Sequence, residues 1–123
     1  MPKFILFNSR DSLIRITIAK IAYFESDGNY TYLVSANKLR SCLTMNLSHT
    51  EQALAEQLDS VAHRFARIGK RYIVNLSYIY QIDVLRQCLT LSDGESFVCQ
   101  LSVSKEALKT LKALLTATAV RKQ

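Results

Sequence analysis

Short segments of alternating apolar and polar residues run along most of the chain, and this pattern constrains the fold more than any other feature. In Ser12–Ile18, three isoleucines fall on one face, whereas Arg15 and Thr17 fall on the other. A period of two is typical of half-buried β-strands. The pattern predicts these strands: Lys3–Asn8, Ser12–Ile18, Ile21–Ser26, Asn29–Ser35, Leu39–Met45, Phe65–Ile68, Ile79–Val84, Gln87–Ser92 and Ser96–Leu101.

A first helix is predicted in the middle of the chain. Ser48 and Glu51 have the spacing of a capping box, in which each side chain bonds a backbone N–H at the helix start. Leu54, Leu58 and Val61 recur at helical spacing and form one apolar stripe. We expect this helix to end within Leu58–Ala62.

A second helix is predicted near the C-terminus. Ser104 is a good N-cap residue, and the leucines that follow form one stripe: Leu108, Leu111 and Leu115. Tyr72–Asn75 has an ambiguous local pattern, and a single helical turn is expected around Asn75–Tyr78. Strands outnumber helices, so the fold class is mostly β with two short helices, in one domain over residues 1–123.

The composition is that of a globular protein. The chain has 123 residues, of which 49% are apolar and 21% charged. No apolar run approaches the roughly 18 residues of a membrane span, and the N-terminus lacks the features of a signal peptide. We therefore expect a cytoplasmic protein that does not enter a membrane. The three cysteines, Cys42, Cys88 and Cys99, have no paired spacing and are interpreted as strand residues.

No pattern in the sequence predicts an enzyme. The only histidines are His49 and His63, and the acidic residues are scattered through turns and exposed helix faces. Nucleotide-binding, metalloprotease and nucleophile-elbow motifs are absent from the sequence. We expect no catalytic residue, no cofactor and no metal.

The charge of the chain is compatible with a polyanionic partner. The formal net charge is +6, and no acid lies between Asp59 and Asp83, where four cations are found: Arg64, Arg67, Lys70 and Arg71. Gly69-Lys70-Arg71 is predicted to form a tight turn whose cations suit phosphate contact or readout of guanine. A solvated basic turn with no partner explains these residues equally well.

Two further places have the chemistry of nucleic-acid contact. Asn29, Tyr30, Thr31 and Tyr32 follow the turn Asp27-Gly28-Asn29 and could enter a groove, although cross-strand packing of the tyrosines is the simpler interpretation. Ser104-Lys105 combines a helix N-terminus with a lysine, which suits a phosphate. Ser104 could equally be nothing more than a helix cap.

Taken together, these places resemble the LytTR (LytR/AlgR-type) DNA-binding domain of bacterial response regulators. The resemblance runs from about Asp11 to Leu115 and is carried by four segments: Ile21–Tyr30, the helix around Leu54–Leu58, Phe65–Asn75, and Leu89–Gly94 with Leu101–Lys105. Phe65–Asn75 is the most specific of these segments. Arg71 stands where the family more often has serine, and Lys105 where it more often has arginine.

The resemblance implies a fold and a function. The implied fold is an elongated arrangement of small antiparallel or mixed sheets that binds double-stranded DNA through loops in successive major grooves, with two copies on repeated half-sites as a homodimer. The implied base-reading residues are Thr31 with Tyr30, Lys70, and Ser104 or Lys105. The implied phosphate contacts are Tyr32, Arg67 and Arg71. The implied role is transcription regulation in a bacterial two-component system.

Two other functions remain open. Family members usually follow a receiver domain, and no such segment precedes this one, which is compatible with an interaction module that modulates a partner regulator without binding DNA. Such a module would expose an apolar patch or an unpaired strand edge. The second is single-stranded nucleic-acid binding, in which bases would stack on Tyr30 and Tyr32.

Overall fold

The computed structural model describes residues 4–58 and 64–122, with side chains described up to residue 117. Its fold is mostly β with two α-helices, and all of its strand pairs are antiparallel. The predicted fold class is therefore confirmed. These residues named in the sequence analysis lie outside the described residues: Lys3, Asp59, Val61, Ala62 and His63.

The predicted strands are present, with ends that shift by no more than two residues. They are β1 (Phe4–Asn8), β2 (Leu13–Thr17), β3 (Ile21–Asp27), β4 (Tyr30–Ser35), β5 (Arg40–Leu43), β6 (Phe65–Ile68), β7 (Tyr72–Asn75), β8 (Ile79–Asp83), β9 (Cys88–Ser92) and β10 (Val98–Ser102). The helices are α1 (Leu47–Gln57) and α2 (Lys105–Lys122), with 3-10 turns at Ile18–Lys20 and Leu76–Tyr78. The ambiguous segment Tyr72–Asn75 is a strand. All four of its residues are buried, which explains why its sequence does not alternate between apolar and polar residues.

The chain divides into two compact units, Met1–Tyr78 and Ile79–Gln123. The first unit holds the β1–β2 hairpin, α1 and a five-stranded sheet with the strand order β5-β4-β3-β7-β6. The predicted single domain over residues 1–123 stays a prediction.

One apolar core connects the elements of the first unit. Phe24 is fully buried and packs edge-to-face against Phe7 of the hairpin, with ring centroids 5.6 Å apart. Leu54 of α1 is also fully buried in this core. In addition, the Gln57 side-chain amide accepts from the Leu6 N–H (2.9 Å) and donates to the Leu6 carbonyl oxygen (2.7 Å). The helix therefore satisfies backbone groups on the outer edge of β1.

The start of α1 differs from the prediction. The N-cap is Asn46, whose Oδ1 accepts from the His49 N–H at 2.8 Å, so the predicted capping box of Ser48 and Glu51 is wrong. Asn46 precedes Ser48 by two residues and meets the same requirement for a side-chain acceptor. Ser48 and Glu51 instead lie within the helix, where both accept from the Arg67 guanidinium.

The second unit is a three-stranded sheet, in the order β10-β9-β8, with α2. Leu89, Leu91 and Leu108 are fully buried. The β9–β10 loop is held by the Asp93 carboxylate, which accepts from the N–H groups of Glu95 (2.9 Å) and Phe97 (3.0 Å). These hydrogen bonds, that of Glu95 first, lower the pKa of Asp93 below its usual value.

Candidate nucleic-acid interface

The turn between β3 and β4 and the loop between β6 and β7 lie at the same end of the five-stranded sheet. β3 runs antiparallel to β7, and the Ser26 N–H donates to the Arg71 carbonyl oxygen at 2.8 Å. The last residues of β3 therefore lie beside the first residues of β7. Because β3 and β7 are neighbours in the sheet and strands are spaced by about 4.8 Å, the centres of the two hairpins are about 10 Å apart.

The β3–β4 turn is a two-residue connection between Asp27 and Tyr30, which are opposite each other in the ladder. Gly28 has a φ of 61°, which a residue with a Cβ rarely adopts, whereas Asn29 has a negative φ. A positive φ at the first central residue alone is a feature of type II′ turns, which match the twist of the flanking strands. Asn29 is exposed and Tyr30 is 52% exposed, so both side chains are available to a partner.

Thr31 does not lie on the surface. It is fully buried, and its hydroxyl donates to the Met45 carbonyl oxygen at 2.9 Å. Thr31 lies on the same face as Leu33 and is opposite Leu43, so its side chain points into the core. The expectation that this side chain is presented for base reading is therefore wrong for this structure.

Tyr32 is half-buried on the opposite face of the sheet. The Arg40 guanidinium lies over its ring, 4.0 Å from the ring centroid. This arrangement is a cation–π contact, which leaves only part of Tyr32 accessible.

The β6–β7 loop has the form that the sequence predicts. Gly69 has a φ of 61°, and Ile68 and Tyr72 are opposite each other across the three-residue loop. Lys70 at its tip is exposed and makes no hydrogen bond or ion pair with residues 4–58 or 64–117. Its ammonium group is therefore available to a partner.

The two arginines beside Lys70 are both paired. Arg67 donates to Glu51 at 3.0 Å, and its side chain is 28% exposed. Arg71 donates to Glu25, also at 3.0 Å, but its side chain is 62% exposed. Arg67 therefore ties β6 to α1, whereas Arg71 keeps much of its surface open to solvent.

Ser104 and Lys105 belong to the second unit. The Ser104 Oγ accepts from the Ala107 N–H at 3.2 Å, which confirms the predicted N-cap. Both residues are exposed, and Lys105 is the first residue of α2. A helix N-terminus beside a lysine has the chemistry of a phosphate contact.

Comparisons with known proteins identify the family. The family described as "LytTR: LytTr DNA-binding domain" matches residues 11–116. The chain belongs to the LytTr DNA-binding domain family. A solved structure of the LytTr DNA-binding domain of a protein assigned as a methyl-accepting/DNA response regulator from Bacillus cereus is similar to it, with a TM-score of 0.62 and 21% sequence identity over 94% of this chain and 98% of that chain. No curated protein matches the chain significantly.

The LytTr family is one of DNA-binding domains and not of enzymes. Within residues 4–58 and 64–122, no group of three histidine, cysteine or acidic side chains is placed to hold a metal ion. In the same part of the chain, every helix is too short or too polar to cross a membrane. Cys42, Cys88 and Cys99 lie in β5, β9 and β10, which confirms the interpretation of them as strand residues.

In this LytTr domain, the structure brings together four of the expected contact residues at one end of the sheet: Asn29, Tyr30, Lys70 and Arg71. Ser104 and Lys105 lie in the other unit. Sequence reasoning missed Glu25 and Arg40, which contact Arg71 and Tyr32 respectively. Glu25 lies inside the quoted family segment, but its pairing with Arg71 spans 46 positions, and no local pattern indicates it.

Proposed function

We propose that this LytTr domain binds double-stranded DNA sequence-specifically and regulates transcription. Its β3–β4 turn and β6–β7 loop would enter one major groove, and the start of α2 would contact an adjacent groove. The observation that carries the proposal is the position of the two loops side by side at one end of the sheet. Loop centres about 10 Å apart match a major groove about 12 Å wide.

The side chains at this end have distinct roles in the proposal. Lys70 is exposed and free to reach guanine, while Asn29 and Tyr30 reach base edges or sugars from the neighbouring turn. Arg71 contacts a phosphate, because its guanidinium is fixed on one side and open on the other. Arg67 and Tyr32 make weaker phosphate contacts, because each is already engaged by a neighbouring side chain.

Ser104 and Lys105 supply the third contact in the proposal. The Ser104 hydroxyl and the N-terminus of α2 favour a phosphate or a base-edge acceptor, and the exposed Lys105 adds a positive charge. Two copies on repeated half-sites, as a homodimer on DNA, would place these contacts in successive grooves. The cytoplasmic location and the role in a bacterial two-component system form part of the same proposal.

The experiment is a selection of bound fragments from random duplexes, followed by titration of the selected duplex at several salt concentrations. The proposal predicts a recovered motif that occurs twice, nanomolar affinity and weak binding of random duplex. The affinity should fall steeply with salt because each neutralised phosphate releases counterions. Recovery of no motif, or preferential binding of single strands at the same salt, would contradict the proposal.

A further inference from the structure

Glu25 lies at the centre of a cluster on the face of the sheet opposite α1. It is opposite Tyr32 of β4 and Tyr72 of β7, so that a tyrosine flanks it on each side. Two arginines complete the group, Arg40 from β5 and Arg71 from the β6–β7 loop. We refer to these five residues as the Glu25 cluster.

Each carboxylate oxygen of Glu25 contacts one arginine. Oε2 is 3.0 Å from Nη2 of Arg71, and Oε1 is 3.9 Å from Nη1 of Arg40. Each guanidinium also lies over a tyrosine ring, Arg40 at 4.0 Å from the centroid of Tyr32 and Arg71 at 5.4 Å from that of Tyr72. Arg71 is therefore held by a charge-assisted hydrogen bond and an aromatic face, and Arg40 by a longer ion pair and an aromatic face.

Burial differs between the two ends of the Arg71 contact. The Glu25 side chain is 17% exposed, whereas that of Arg71 is 62% exposed. The Arg71 backbone is also fixed, because its carbonyl oxygen accepts from Ser26 of the same strand as Glu25. Strand β3 thus holds Arg71 at both its main chain and its side chain, and leaves guanidinium donors open to solvent.

We propose that Glu25 is a positioning residue for the DNA interface. It holds the Arg71 guanidinium over Tyr72 so that the remaining N–H donors meet a phosphate without a further loss of side-chain freedom. A carboxylate beside DNA repels phosphate. The benefit of Glu25 therefore comes from fixing Arg71 before binding, and not from a direct interaction with DNA. This inference rests on the proposed function.

The test compares two variants that each remove one negative charge from β3. Glu25→Gln keeps the shape of the side chain but removes the negative charge that holds the two arginines. Asp27→Asn is the matched control, because Asp27 is exposed on the same strand and forms no ion pair with the described residues. Affinities are measured for the selected duplex and for a random duplex at the same salt, and unfolding curves verify that both variants fold.

Loss of repulsion should strengthen the binding of Asp27→Asn to both duplexes. Because phosphates are present in every duplex, Glu25→Gln should bind both duplexes about three- to tenfold more weakly than Asp27→Asn, the range expected for one newly mobile side chain. In an Arg71→Ala background, Glu25→Gln and Asp27→Asn should have equal affinities. Equal affinities of the two variants when Arg71 is present, or an undiminished difference in the Arg71→Ala background, would overturn the inference.

A measurement on the free protein separates this inference from the proposed function. The side-chain NMR signal of Arg71 should show restricted motion in the wild type and in Asp27→Asn, but free motion in Glu25→Gln. Equal mobility in all three proteins would overturn the positioning role even if DNA binding is specific. A wild type that prefers no duplex, with Arg71 restricted, would refute the proposed function itself, and with it the role of Glu25 in DNA binding.

Discussion

The Thr31 hydroxyl donates to the Met45 carbonyl oxygen at 2.9 Å, and it connects the β3–β4 hairpin to the segment that leads into α1. The residue is fully buried. A position that the resemblance marks for base reading therefore has a structural role in this chain. Contacts from the turn have to come from its exposed neighbours, Asn29 and Tyr30.

Thr31→Val is expected to lower the free energy of unfolding by about 1 kcal/mol, because it removes a hydrogen bond and keeps the shape of the side chain. The measurement is urea unfolding. Thr17→Val, on strand β2, is the control, because the Thr17 hydroxyl has no hydrogen-bond partner among the described residues. A Thr31→Val protein with unchanged stability and altered base preference would contradict this structural role.

Lys70→Ala is expected to weaken binding of the selected duplex by about 1–3 kcal/mol if the lysine reads a base. Lys20→Ala removes the same charge from the opposite end of the sheet, at the start of β3, and should have a much smaller effect. Fluorescence anisotropy titrations at several salt concentrations measure the affinity of both variants for the duplex. Equal losses for the two variants would indicate that only net charge matters.

Asn46→Ala is expected to cost about 1 kcal/mol of stability, because the His49 N–H loses its acceptor. Ser48→Ala should change stability by no more than roughly 0.5 kcal/mol, since Ser48 lies on the exposed surface of the helix. Thermal unfolding of the two variants distinguishes the observed cap from the predicted capping box. A larger effect at Ser48 than at Asn46 would favour the capping box.

The Asp93 carboxylate should make stability depend on pH. Its pKa is lower in the folded protein than in the unfolded chain, because the folded loop donates N–H groups to it. The stabilisation is therefore complete above the unfolded-state pKa and is lost as the pH falls through the folded-state pKa. Asp93→Asn keeps an acceptor oxygen but does not titrate. The stability of the wild type relative to Asp93→Asn should decrease as the pH falls below the ordinary aspartate pKa of about 3.9, and a constant difference would contradict the assignment.

Much of the fold could be predicted from local patterns. Alternation indicates the strands. Gly28 and Gly69 mark turns, and each of these two glycines has a positive φ. Burial of Thr31 was missed because β4 has apolar residues on both faces, with Leu33 on one and Val34 on the other. Alternation then separates the faces without indicating which one packs against the helix.

The interface was predicted less completely than the fold. Exposed Lys70 lies at the tip of a turn that the sequence indicates directly. The pairing of Arg71 with Glu25 depends on β3 and β7 being neighbours, and that is a property of the strand order. The sequence shows where basic residues are concentrated, but only the tertiary structure shows which of them already have an acidic partner.

The central claim is that the β3–β4 turn and the β6–β7 loop contact the same duplex. The most direct test is an NMR titration of the labelled protein with the selected duplex, followed residue by residue. The account predicts that the backbone signals of Asn29, Tyr30, Lys70 and Arg71 shift together at one saturating ratio, while those of Lys20 and Lys38 at the other end of the sheet stay in place. Shifts confined to the Lys20 and Lys38 end would contradict it.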